Sequence, residues 1–155
     1  MREAILLLHP TLAMLSVISA IWVIVETLNA SPANLNRLKN AAKLVAILMF
    51  LTCLVAGYYY VNFYAPDKAI ILKGSWKFAH NLIMESKEHL FFMTLILSFL
   101  LPVVASAKDI VSSKQTRTLI VSIAGLIVLS SLALEGAGSV IAMGVKMGLL
   151  QTLVK

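Results

Sequence analysis

Residues 4–28 read AILLLHPTLAMLSVISAIWVIVETL, and this run decides the class of fold. Glu26, near its end, is its one charged residue. A helix of about 20 apolar residues crosses a hydrocarbon core of about 30 Å, so the run is long enough to span a bilayer. It must be helical there, because lipid offers no partner to a free N–H or C=O group. Glu3 just ahead of the run, the His9-Pro10 pair inside it and the lack of a small-x-small cleavage pattern identify a retained span rather than a cleaved signal.

Three further runs repeat the pattern, at about residues 41–64, 90–107 and 118–143. The whole chain of 155 residues is 60% hydrophobic and 13% charged, with a mean hydropathy of +0.92. Soluble domains carry about 25% charged residues, so composition and runs agree on an integral membrane protein. The expected fold is all-α: a single domain over residues 1–155, built as an up-down bundle of four transmembrane helices. The lone Cys53 lies inside AILMFLTCLVAG and excludes an intrachain disulfide. The net charge of +6 resides in segments flanking the spans, with no basic patch interleaved with aromatics, which argues against a nucleic-acid partner.

Four spans divide the rest of the chain between two sides. One side holds the short loops 29–40 and 108–117, with Arg37, Lys39, Lys43, Lys108, Lys114 and Arg117 at or beside them. The other holds both termini and the long connection 65–89, with Arg2, Lys68, Lys73, Lys77, Lys87, Lys146 and Lys155 and most of the acids. The density of basic residues in the short loops places that side in the cytoplasm and both termini outside, as in a bacterial or archaeal inner membrane. Within the long connection, GSWKFAHNLIMESKEH (74–89) and the lysine just before it set Trp76, Phe78, Ile83 and Met84 against Lys73, Lys77 and Lys87 at roughly helical spacing. It reads as a short amphipathic helix at the interface before the third span. YYYVNFY (58–64) and Trp22 read as aromatic belts.

Counting along the spans brings ionisable residues together. His9 stands 19 residues before Leu28, and His89 stands 18 before Ala107. At about 1.5 Å per residue both lie about 27–29 Å from the cytoplasmic boundary. Glu135, 17 residues after Thr118, arrives within about a turn of the same plane. Ionisable residues at such depth are costly and mark function, so the predicted site is a cluster near the outer face. His80 joins it only if the chain bends, since nine residues of continuous helix would turn it away from His89. Glu85 shares a helical face with His89 and, with Glu88, is a candidate to orient a ligating imidazole.

The ligand types compatible with this set are few. A di-iron carboxylate site needs Glu-x-x-His motifs, and none is present. A metal such as copper, zinc or iron, held by His9, His89, Glu135 and His80, is one reading. Haem b between two imidazoles at equal depth is the leading one, since filled axial positions suit electron transfer. A cofactor-free structural subunit of a membrane complex is the third.

LLLHPTLAMLSVISAIWVI (6–24) resembles the first helix of small four-helix membrane cytochrome b families, the b561-like group, which carry a His-Pro at its head. EHLFFMTLILSFLLPVVASAKD (88–109) resembles their third helix, which also opens with a histidine. The resemblance implies His9 and His89 as haem ligands. It implies a redox subunit inside a larger complex, with a periplasmic cytochrome or quinone-reactive subunit as partner beside the lipid bilayer. The second haem usual in such families has no histidines on helices two and four to hold it. Near the C-terminus, Gly144 and Gly148 in GVKMG have the small-xxx-small spacing that drives close helix association.

Overall fold

A computed structural model describes residues 1–153. Four helices account for nearly all of it: α1 (Arg2–Leu28), α2 (Leu35–Lys73), α3 (Glu85–Val104) and α4 (Lys114–Leu153). A π-helical segment, Ala79–Met84, runs without a break into α3. All four helical stretches are long and apolar enough to cross a membrane. α1 packs on α2 and α4, and α3 packs on the same two from the other side. Among the described residues no Cα of α1 comes within 8 Å of one in α3, whereas α2 and α4 approach across the bundle.

The end of the bundle that carries the short basic loops is closed by one carboxylate. Glu26 accepts from Trp22 Nε1 at 3.0 Å, from Asn34 Nδ2 at 2.7 Å and from Arg37 Nε at 3.2 Å. Asn34 also donates to the Glu26 carbonyl, which is left without an intrahelical partner near the end of α1. The NASPAN turn is thus fixed by side chains that satisfy helix-end groups. Beneath it lies the main core, where Val23, Leu38, Val45, Leu101, Ile120 and Ile127 are fully or almost fully buried.

The outer end departs from the sequence reading. APDK reads as the end of the second span, yet α2 passes through Pro66 and continues to Lys73. A proline inside a helix costs about 3 kcal/mol or more, so packing must offset it. The offset is a second, smaller core in which Tyr64 and Ile71 of α2 meet Ala79 and Ile141. α4 likewise runs on to Leu153. At 39 and 40 residues these helices are about 60 Å long, about twice the hydrocarbon thickness. The expected amphipathic helix at the interface is not a separate element: Gly74–Lys77 form a tight connection and the rest joins α3.

The glycine spacing of α4 serves this packing within the chain. A Cβ on Gly148 would lie 2.7 Å from both Ile70 Cγ2 and the Ile70 carbonyl oxygen, and one on Gly144 would lie 2.8 Å from Ala79 Cβ. Gln151 completes the seam, accepting from the Ser75 amide at 3.0 Å and donating to its hydroxyl at 2.7 Å. Gly148→Ala is therefore expected to destabilise the protein by about 1–3 kcal/mol, the usual cost of overpacking. Gly136→Ala, whose Cβ would meet nothing within 4 Å, is expected to be neutral or stabilising. Reversible unfolding in mixed detergent micelles measures both, and equal behaviour would contradict the close seat.

Candidate functional site

The outer half of the bundle carries two polar groupings, one inside and one at the overhang. The inner one is built by the face of α3 that also buries Thr94, Ser98 and Leu101. Seven residues before Thr94, and so within about 20° of the same face, stands Lys87. Its Nζ rests against the α4 backbone, 3.1 Å from where a Gly138 Cβ would be. His9 of α1, half-buried, and Glu135 of α4 lie within electrostatic reach of that ammonium. No carboxylate pairs with it within 4.0 Å among the described residues. Lys87 thus acts electrostatically on His9 and feels the charge of Glu135.

His89 does not join them. Two residues beyond Lys87 it is turned by about 200° on the helix, and it is exposed on the outward face. Its Nδ1 lies 2.7 Å from the Glu85 carbonyl oxygen. A carbonyl only accepts, so Nδ1 carries the hydrogen and, in the neutral ring, Nε2 is left with a free lone pair directed outward. The backbone of Glu85, not its carboxylate, orients this imidazole. Glu85 itself is exposed, and Glu88 is half-buried beside Tyr60.

His80 has a different environment again. It is 6% exposed on the π-helical segment, and its Nδ1 lies 3.0 Å from the Tyr64 hydroxyl, itself on a residue 5% exposed. Tyr60 stacks on Tyr64 with ring centroids 5.2 Å apart. On the same overhang Arg2 donates to both Asp67 oxygens, at 2.7 and 2.6 Å, and Tyr59 donates to Oδ2 at 3.1 Å. YYYVNFY is therefore more than a belt: Tyr59 and Tyr64 are hydrogen-bonded inside the protein. Asp67 carried no functional reading in the sequence, though it is a charge beside an apolar run, the same signal that marks the histidines.

As a metal centre the predicted set is not assembled. Among the described residues no group of three or more His, Cys, Asp or Glu side chains is placed to hold a metal ion. His9 and Glu135 face the interior, His89 faces outward, and His80 is engaged by Tyr64. A haem held by His9 and His89 of one chain likewise does not fit these residues, since α3 would have to rotate by about half a turn to bring the two imidazoles into opposition.

The Tyr64–His80 bond ties the π-helical segment to α2 in a buried site. Tyr64→Phe would leave a ring nitrogen without its partner, a loss of about 1–3 kcal/mol. A cycle with His80→Phe is expected to show coupling between the two positions, read by unfolding in mixed micelles. Additive losses would contradict the bond. Comparison with family models, with curated proteins and with solved structures finds no match to this chain.

Proposed function

We propose that this protein is an integral-membrane subunit of a larger redox assembly, joined to its neighbour through the outward face of α3. His89 is the observation that supports the reading. A histidine about level with the interior ammonium of Lys87, yet turned out of the bundle, is costly in lipid unless something polar covers it. Its tautomer is set by the Glu85 carbonyl, which leaves Nε2 ready to accept a hydrogen bond or bind a metal. Phe92, Met93 and Ile96 continue the same exposed side of the helix as an apolar surface for a partner's helix.

The cytochrome reading takes the form this geometry permits. His89 would help hold a haem b at the subunit contact, together with a residue of the neighbour. When bound, the haem supplies a one-electron carrier. His9 belongs to the interior cluster and serves the bundle. In this reading the end bearing both termini faces outward, where a quinone-reactive subunit or a periplasmic cytochrome would meet it. A second reading, a cofactor-free subunit, is favoured by the exposed Glu85 beside His89, which suits a purely polar contact.

A reduced-minus-oxidised spectrum of the complex purified through this chain, beside His89→Ala and His9→Ala, tests both. The expected result is an α-band that is lost in His89→Ala and kept in His9→Ala. No band, with release of the chain from its complex in His89→Ala, would select the cofactor-free subunit. A His89→Ala protein with unchanged spectrum and unchanged assembly would overturn the proposal.

A further inference from the structure

The outermost part of the molecule, where α2 turns back toward α3 beside the end of α4, carries charge of one sign. Residues 68–84 and 136–153 contain no Asp or Glu, and they bring Lys68, Lys73, Lys77 and Lys146, all exposed. None of the four has a carboxylate within 4.0 Å among the described residues. Of the flanking acids, Asp67 is held by Arg2, and Glu85 stands past the π-helical segment at the start of α3. With the second span ending at Tyr64, Lys73 lies nine residues further on, about 13–14 Å along the helix axis. The headgroup layer adds only about 5–8 Å to the hydrocarbon on each side, so this tip rises beyond it.

Beside these lysines lies apolar surface of the kind that water does not favour. Phe78 and Leu82, about one turn apart, are 46% and 60% exposed. Trp76 leans on Phe78 with ring centroids 5.3 Å apart. Lys77 stands between the two rings in the chain, and Lys68 acts electrostatically on His80, two residues past Phe78. The connection that bears them is tied down on both sides. Gln151 of α4 holds the amide and the hydroxyl of Ser75, and the Tyr64 hydroxyl meets His80 Nδ1 at 3.0 Å.

We infer that the tip formed by Lys73, Trp76, Lys77, Phe78 and Leu82 is a docking surface for an acidic, water-soluble protein domain. Charge complementarity selects the partner. Aromatic and aliphatic side chains flanked by cations alone fit an apolar patch bordered by carboxylates, and a surface of one sign steers such a partner in. The anionic headgroups of the surrounding bilayer are the other source of negative charge, and they lie below Lys73 by the count along α2. The surface depends neither on His89 nor on any cofactor.

The test uses the full-length chain with Trp22→Phe, which leaves Trp76 as the one tryptophan, in phosphatidylcholine nanodiscs. Two peptides of equal charge are the probes, one of glutamate alone and one with leucines between the glutamates. A saturable shift of Trp76 emission is expected with both. The leucine peptide should bind about tenfold more tightly, the worth of one leucine largely buried. Lys73→Gln with Lys77→Gln should weaken both about fivefold, as the loss of two exposed ion pairs would, and Phe78→Ser should remove the preference for leucine. The same exchange at Lys39 and Lys43, at the opposite end, should leave the Trp76 response unchanged. Silence of Trp76, equal binding of the two peptides, or indifference to the exchange at Lys73 and Lys77 would overturn the surface. So would a stronger response to phosphatidylglycerol vesicles or to a thymidine oligonucleotide than to either peptide, which would assign the tip to lipid or to nucleic acid.

Discussion

A hydrocarbon layer leaves every backbone amide and every polar side chain to find its partner within the protein. The bundle follows from that constraint. Its buried threonines and most of its serines return their protons to carbonyls, and Glu26 gathers three donors where α1 gives way to α2. Asp67 does the same at the opposite end, holding Arg2 and Tyr59. Apolar burial alone would let the helices rotate against one another; these polar anchors fix which face of each points inward.

The same constraint weakens once the helices leave the lipid, and hydrophobic packing takes over. α2 and α4 are longer than a hydrocarbon core requires, and their far ends are held where Ile71, Tyr64 and Ile141 bury surface against Ala79. Gly144 and Gly148 allow the backbones to approach, and the π-helical turn brings His80 under Tyr64. Wide helical turns of this kind recur where a side chain must be re-aimed. The overhang is thus packed around the Tyr64–His80 hydrogen bond and the close seat of Gly144 and Gly148.

The four spans and their up-down order were legible in the apolar runs, because length and composition alone decide what can cross a bilayer. Span ends were less so. APDK read as the end of the second span and the fourth apolar run as ending near Met143, and only the packing of Ile71 and Gly148 shows why helix persists beyond them. For the site, counting along the spans speaks of depth and leaves azimuth open. Counting from the span ends placed His9, His89 and Glu135 in one layer, which says nothing about the direction each faces. The spacing of Thr94, Ser98 and Leu101 carried that information: stepping back seven residues from Thr94 reaches Lys87, with His89 on the far side. The Tyr64 partner of His80 had no sequence signal, since it depends on an overhang that the sequence reading ended at Tyr64.

The division of α3 into an inward Lys87 face and an outward His89 face supports the whole functional reading. Nitroxide scanning of residues 86–96 in a Cys53→Ala background, in bilayers, measures it most directly through collision with molecular oxygen and with a water-soluble relaxant. The account expects low accessibility to both at 87 and 94, and high accessibility at 89, 92, 93 and 96 when the chain is freed of partners. Protection at 89 together with exposure at 87 would show the opposite rotation of α3 and contradict it.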